Sequence, residues 1–304
     1  MHSVIVWLLD GDVSIQYMTH RFLLHSSESV QQQLRQRIPL EGVGARLLSC
    51  RSDGGHWGRH YYQPKWTSTH YTLLDLKNLY APESLPPCRE MVTRMFRECV
   101  LENGGLNLSK SGLPSDVCVD GMVLNYSSYF CPEEPGLDRL VDFLLREQKP
   151  DGGFTWDLQS GYGDPHSTIC VLEGLAQYCA GTGRNTDSIR AASDRAVEFL
   201  LEHELFWQNA DIRFQKLTDQ YRYRYDLLRA LEFFALANVP YDARMRPAVD
   251  WLMKKQHTDG LWYLEHRHKG NVHFEMEEVG KPSRLITLKA LVILNYFQQL
   301  SHLN

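Results

Sequence analysis

The stretch Gln148-Lys149-Pro150-Asp151-Gly152-Gly153-Phe154 decides the fold, because it ends an amphipathic segment with a tight turn and an aromatic residue. An Asp-Gly or Asn-Gly pair supplies the left-handed backbone position that stops a helix. We expect the aromatic residue to fold back onto the end of that helix. Similar endings are found at three other places: Asp53-Gly54-Gly55-His56-Trp57, Asn103-Gly104-Gly105-Leu106 and Asp259-Gly260-Leu261-Trp262.

The spacing of these endings indicates an internal repeat. In chain order, the turns at Gly55, Gly104 and Gly152 lie about 50 residues apart. The turn at Gly260 lies about twice that distance further on. A degenerate copy, Phe206-Trp207-Gln208-Asn209-Ala210, fills the gap. An amphipathic helix precedes each turn, as at 142–145, and a more apolar helix follows it, as at 169–175. The amphipathic helices suit an outer layer facing water, and the apolar helices suit an inner layer.

This repeat predicts an all-α fold, an α/α toroid in which about five to six helical hairpins close into a ring. No segment shows sustained two-residue alternation, so no strands of consequence are expected. An open solenoid of helical pairs is the alternative, but its repeats run nearer 34 to 47 residues. We expect one domain over residues 1–304, with N-terminal helices over 1–40 that close the ring and repeats over 41–304.

The composition of the 304 residues fits a large apolar core and excludes some partners. Hydrophobic residues make up 43%, aromatic residues 11%, and the formal net charge is −5. This mild acidity gives no electrostatic reason to expect nucleic acid. Seven cysteines without a CxxC pair argue against a disulfide framework and for a reducing compartment. No signal peptide and no membrane span is expected, and the protein is predicted to be cytoplasmic.

The turn motifs at Gln148–Phe154 and Gln256–Trp262 resemble the Gln-and-Trp repeat of squalene–hopene cyclases. The chain is therefore identified as resembling the superfamily of terpenoid cyclases and protein prenyltransferases, over about residues 40 to 294. The resemblance implies isoprenoid chemistry inside the ring, with functional residues at the N-termini of the inner helices. Helix N-termini favour anions, including diphosphates.

The segment Asp116-Val117-Cys118-Val119-Asp120-Gly121-Met122 resembles the Asp-x-Asp-Asp-Thr-Ala-Met acid element of squalene–hopene cyclases, with one important departure. Asp116 falls on the first aspartate of that element, but Cys118 falls on the aspartate that protonates the alkene. A thiol with a pKa near 8.5 is too weak an acid for this step. Standard squalene cyclization is therefore not expected, and metal-free cyclase, isomerase or lyase chemistry is the leading hypothesis.

A zinc-dependent prenyltransferase is the alternative that the same segment suggests. In that family an Asp-Gly-Cys element and a later histidine hold zinc, and here Cys118, Asp120 and His166 are the candidate ligands. Cysteine, aspartate and histidine are suitable zinc ligands, and three ligands with an open position are typical of a catalytic site. The departure in residue order weakens this alternative. Cys118 could equally be a small, inert cysteine at a helix start.

Alignment of the inner helices predicts a belt of polar residues at the cavity mouth, which we call the polar belt. His70, Thr168, Arg224 and Arg284 align with Asp120, whereas His166 and Arg222 align with Cys118. His70 or His166 could act as general acid or base, oriented by Asp116 or Asp120. Cys118 with a nearby histidine would permit a thiolate mechanism. The catalytic candidates are Cys118, Asp116, Asp120, His70 and His166.

The same mouth is predicted to bind the substrate, an isoprenoid or similar apolar small molecule. Arginines could hold its head group, and aromatic faces could stabilise a carbocation. Glu275 is a further candidate acid, or a loop residue paired with a nearby cation. A third hypothesis is a non-catalytic toroid that binds a lipid or a partner, with its aromatic residues filling the ring. The candidate binding residues are Trp57, Trp66, Arg222, Tyr223, Arg224, Arg284 and Glu275.

Overall fold

The computed structural model describes residues 2–109, 112 and 114–301, and in these residues it contains thirteen α-helices. The helices are α1 His2–Leu9, α2 Val13–Phe22, α3 Glu28–Arg37, α4 Gly42–Ser49, α5 Thr69–Asn78, α6 Pro86–Cys99, α7 Val117–Phe130, α8 Gly136–Glu147, α9 Pro165–Thr182, α10 Asp187–Glu202, α11 Leu227–Leu236, α12 Arg246–Lys254 and α13 Arg284–Ser301. Over the same residues, β pairing is limited to isolated bridges. The all-α prediction is confirmed.

The helices form a closed α/α toroid of six hairpins, each with an outer and an inner helix. The inner helices are α2, α5, α7, α9, α11 and α13, and α3 is an additional helix that packs on α2. Contacts of α5 with α7, α7 with α9, and α11 with α13 build the inner ring, and α13 packs on α2 to close it. The inner helix α7 is buried along its whole length, whereas α8 buries one face.

The repeated turns have the geometry that the sequence predicts. Gly55, Gly104, Gly152 and Gly260 all have positive φ, between 83° and 98°. The indole of Trp57 donates to the carbonyl of Leu47 at 2.7 Å, and that of Trp262 donates to Leu252 at 2.8 Å. Each tryptophan thus satisfies a carbonyl at the end of the preceding outer helix, where helical partners run out.

A threonine at the start of an inner helix ties each of three turns to the ring, and we call this arrangement the threonine latch. Its hydroxyl accepts a hydrogen bond from the backbone N–H of a turn residue. The same hydroxyl oxygen lies 3.3 Å from the carbonyl oxygen of that turn residue in each case. The pairs are Thr69 with Trp57, Thr168 with Phe154, and Thr287 with Trp262.

The latch corrects the alignment on which the polar belt was based. In the repeat that contains the Asn103–Leu106 turn, Asp120 takes the place of the threonine, and its Oδ1 accepts from the N–H of Leu106 at 3.0 Å. Its equivalents are therefore Thr69, Thr168 and Thr287, so the alignment of His70 and Arg284 with Asp120 was wrong. Inner helices that are apolar on every side carry no periodicity that fixes their register.

The described helices bear on two expectations: that N-terminal helices close the ring, and that no segment spans a membrane. α2, which lies within the N-terminal residues 1–40, begins at Val13 and contacts α13. Over the described residues, none of the helices combines the length and the apolar character that crossing a membrane requires.

Candidate functional site

The ring has two ends, and the cavity opens at the end opposite to the polar belt. The belt lies at the N-termini of the inner helices, which we call the N-terminal mouth. A cavity of about 690 Å³ lies towards the C-terminal halves of these helices, at the C-terminal mouth. A volume of this size suits a drug-sized ligand. None of the candidate residues named from the sequence lines this cavity.

The cavity has aromatic walls and a charged floor. Its aromatic rings come from Phe22, Tyr80, Tyr129, Tyr221 and Phe233. Small and aliphatic side chains, including Ala176 and Leu288, fill the spaces between these rings. Four charged side chains also line the cavity, and we call them the cavity floor: Lys77, Glu173, Glu232 and Lys289.

The N-terminal mouth is closed by its own side chains. Arg222 is 2% exposed and forms a bidentate ion pair with Asp75, with N–O distances of 2.5 and 3.1 Å. Its guanidinium lies 5.6 Å from the ring centroid of Trp66 and 5.5 Å from that of Tyr71. The ring of Tyr223 stacks on the ring of Trp66. The crevice that remains, lined by Trp66, Arg222 and Glu275, holds only about 20 Å³.

Cys118 lies among backbone carbonyls and a second thiol. Its Sγ is 3.6 Å from Sγ of Cys170, 3.7 Å from the carbonyl of Tyr223 and 4.0 Å from the carbonyl of His166. The contact with Cys170 and burial raise the pKa of the Cys118 thiol well above its usual range. The thiol form is therefore favoured at neutral pH.

Asp116 and His166 both hold backbone groups in place. The Asp116 carboxylate caps α7 by accepting from the N–H of Cys118 at 3.0 Å, and burial raises its pKa. Nδ1 of His166 accepts from the N–H of Tyr225 at 2.8 Å, and burial lowers the pKa of this histidine. The ring of His166 is thereby held neutral, with Nδ1 as the acceptor.

The three residues proposed as zinc ligands do not form a ligand cluster. Among residues 2–109, 112 and 114–301, no group of three or more His, Cys, Asp or Glu side chains is placed to hold a metal ion. The Asp120 carboxylate accepts a hydrogen bond from the N–H of Leu106, and the Cys118 thiol faces the backbone carbonyl of His166 rather than its ring.

His70 is fully buried beside Tyr126. Its Nδ1 lies 3.1 Å from the Tyr126 hydroxyl, and its Nε2 has no hydrogen-bond partner in the described part of the chain. Burial, with a smaller contribution from Arg222, lowers the pKa of His70 to about 3. A histidine that stays neutral across the physiological range cannot serve as a proton donor there.

The remaining candidates are spread over the N-terminal mouth and the ring wall. Trp57 is part of the core, and Arg224 lies over the Tyr223 ring, 5.3 Å from its centroid. Arg284 donates to the carbonyl of Trp7 at 3.1 Å and lies over the Trp7 ring. Glu275 pairs with Arg267. The functional roles of these residues stay predictions, and the structure does not gather them around one cavity.

The charged floor was missed in the sequence, although a signal for it exists. Lys77, Glu173, Glu232 and Lys289 each interrupt an apolar inner helix, where charges are rare unless they are paired. Lys289 Nζ lies 3.2 Å from Glu232 Oε2, and the Tyr221 hydroxyl donates to the same oxygen at 2.5 Å. Beneath them, the fully buried Arg229 holds Glu173 through two N–O contacts of 2.7 and 2.8 Å.

Lys77 differs from the other residues of the floor because no carboxylate pairs with it. Among the described residues, its ammonium has no carboxylate oxygen within 4.0 Å. Burial lowers the pKa of Lys77, and the more distant Glu173 and Glu232 offset part of this effect.

Comparison with known proteins yields similarity to solved structures alone. No family model matches the chain, and no curated protein matches it. A protein from Actinoplanes is 20% identical, with a TM-score of 0.48, over 95% of this chain and 90% of that one. The type II terpene cyclase MstE from Scytonema is 12% identical, with a TM-score of 0.35, over 90% of this chain and 99% of that one. A variant of MstE in complex with geranylgeranyl dihydroxybenzoate, described as its substrate, is 13% identical with a TM-score of 0.33. These values carry no inference about activity.

Proposed function

We propose that the protein binds an isoprenoid or similarly apolar small molecule in the central cavity of the ring, with entry at the C-terminal mouth. The observation that supports this most is the cavity itself, about 690 Å³ in volume and walled by five aromatic rings. Concave sites of this size with mostly apolar walls and a few polar groups are typical of small-molecule sites. The flat faces of the rings suit an extended, unsaturated hydrocarbon chain.

Metal-free cyclase, isomerase or lyase chemistry is a second candidate, and the aromatic walls favour it. Such faces stabilise a carbocation through their quadrupoles. The two carboxylates of the floor, Glu173 and Glu232, are held in ion pairs with Arg229 and Lys289.

Filling the cavity tests the proposal. Ala176 lies on α9, lines the cavity and is exposed to it. We expect Ala176→Trp to weaken the binding of farnesol by at least about tenfold, because the indole occupies the volume that the ligand needs. Isothermal titration calorimetry measures this. Ala191→Trp, at an exposed position on the outer helix α10, is the matched control and should bind as the wild type does.

Two results would contradict the proposal. Wild-type protein that shows no heat of binding with farnesol or with longer prenyl alcohols would remove its basis. Equal affinities of Ala176→Trp and wild type would place the ligand elsewhere. Unchanged circular dichroism and melting temperature in both variants ensure that the comparison concerns binding.

A further inference from the structure

Lys77 is the charged residue of the cavity floor that lacks an ion-pair partner among the described residues. Arg229 pairs with Glu173 and Lys289 pairs with Glu232, so each carboxylate of the floor already has a cation. The half-buried Lys77 has no carboxylate oxygen within 4.0 Å in the described part of the chain. A partly desolvated cation without a paired anion is unfavourable, so an anionic group of a ligand would stabilise it.

The neighbouring carboxylates are engaged in contacts of their own. Asp226 caps α11 and accepts from the backbone N–H of Arg229 at 2.9 Å. Below the floor, Arg222 and Asp75 neutralise each other in a buried pair. At the rim of the C-terminal mouth, Glu83 is paired with Arg35. The other rim cation, Arg21, is exposed and lies over the rings of Phe22 and Tyr80. In the described cavity lining, each carboxylate is thus already paired with an arginine or a lysine.

The cavity wall near the inner-ring helix α7 also carries polar atoms without partners. Oδ1 of Asn125 and Oγ of Ser128 are buried and have no hydrogen-bond partner within the described part of the chain. Both side chains line the same cavity as Lys77. Buried polar groups normally find a partner in the protein, in water or in a ligand. These orphan atoms indicate that something polar occupies the deep part of the cavity.

We propose that the ligand carries a single anionic head group, a carboxylate, which binds Lys77 at the floor while its apolar chain extends between the aromatic walls. This inference rests on the proposed function, because it places the head group of the same ligand. The ligand class is an amphipathic monocarboxylic acid with an isoprenoid or similar chain. A charge-assisted contact with the lysine neutralises the unmatched cation and orients the molecule, head first.

The available cations also separate this ligand from a prenyl diphosphate. A diphosphate brings two or more negative charges, whereas Lys77 is the one floor cation without a carboxylate partner among the described residues. The excess negative charge would lie beside Glu173 and Glu232, where like charges repel. The arginines of the N-terminal mouth that were candidates for a diphosphate do not line this cavity.

A matched pair of ligands tests the inference directly. Farnesol and farnesoic acid share one hydrocarbon chain and differ in the head group alone. We expect wild-type protein at pH 7 to bind the acid about 10- to 100-fold more tightly than the alcohol, the range given by a hydrogen bond to a charged group. Titration calorimetry measures both affinities. Farnesyl diphosphate should bind more weakly than the acid.

Variants of Lys77 identify the group responsible. Lys77→Met nearly keeps the length of the side chain and removes its charge, so the ratio of the affinities for the acid and the alcohol should fall to about one. Lys77→Arg should keep the preference in part, because it restores a cation. Lys254→Met, at an exposed position on α12 outside this cavity, is the charge-matched control and should leave both affinities unchanged.

The outcomes separate the two proposals. Wild-type protein that binds the alcohol but shows no preference for the acid overturns the head-group inference and leaves the proposed function intact. A preference for the acid that survives in Lys77→Met overturns the assignment to Lys77. Failure to bind either ligand overturns both proposals. A preference that is lost in Lys77→Met and kept in Lys254→Met supports the inference.

Discussion

At the scale of single residues, Asp120 shows how a candidate catalytic group can have a structural role. It stands where the other repeats place Thr69, Thr168 and Thr287, and it accepts the same backbone N–H of the turn. Burial raises the pKa of Asp120 well above its usual range. A neutral carboxylic acid has one O–H donor and spare acceptor capacity, like the threonine hydroxyl that it replaces.

This role of Asp120 predicts an effect of pH on stability. Because its pKa is raised in the folded state, the unfolded chain releases the proton above about pH 4 while the folded chain keeps it. The unfolded state then binds fewer protons, so this residue lowers stability as the pH rises towards its folded-state pKa. Asp120→Asn, which is neutral at every pH, should raise the melting temperature by about 2–4 °C at pH 8 and little at pH 4.

Differential scanning fluorimetry at the two pH values checks this prediction. Asp53→Asn is the control, because it makes the same chemical change at an exposed position. A gain in melting temperature that is equal at pH 4 and pH 8, or a loss at pH 8, would contradict the neutral role of Asp120. Loss of ligand turnover in a stable Asp120→Asn variant would instead favour the catalytic role predicted from the sequence.

At the scale of the helices, the close approach of α7 and α9 holds the centre of the ring together. Gly174 on α9 faces the backbone of Gly121 on α7, and a Cβ at Gly174 would lie 2.5 Å from the Gly121 carbonyl oxygen. Such a contact is far inside van der Waals distance and involves backbone, which cannot move aside cheaply. The two glycines therefore set the separation of the helices.

Gly174→Ala should destabilise the protein by about 1–3 kcal/mol, because the added methyl group pushes the two inner helices apart. Chemical denaturation measures the free energy of unfolding. Gly161→Ala is the matched control, since nothing lies within 4 Å of its added Cβ, and its stability should stay near that of the wild type. Equal stabilities of the two variants would show that the helices do not pack as closely as described.

Helix-scale features were the easiest to predict from the sequence, and the register between helices was the hardest. The turn at Gln148–Phe154 identified the repeat because a left-handed glycine and a following aromatic are local signals. The helices predicted over residues 1–40, which include α3, were given no individual bounds because α3 belongs to no repeat. The belt alignment failed for His70 because α5 is buried on almost every side and has no apolar stripe to fix its rotation.

At the scale of the whole molecule, the ring separates a closed end from an open one. The polar residues that resemble a family site lie at the closed end, where Arg222 and Trp66 fill the space that a substrate would need. The open end holds the cavity and its charged floor. This division could not be predicted from the sequence, because it depends on which side chains from distant repeats meet across the ring. Asp75 and Arg222, for example, are 147 positions apart.

The most direct test of the account is to map where a prenyl ligand lies. A prenyl alcohol that carries a photoactivatable diazirine is crosslinked to the protein, and the labelled peptides are identified by mass spectrometry. We expect labels on the C-terminal halves of inner helices, at residues such as Tyr129, Gln177 and Leu236, and their loss when unlabelled farnesol competes. Labels at Trp66 and Tyr223, around the N-terminal mouth, would contradict it and return the site to the polar belt.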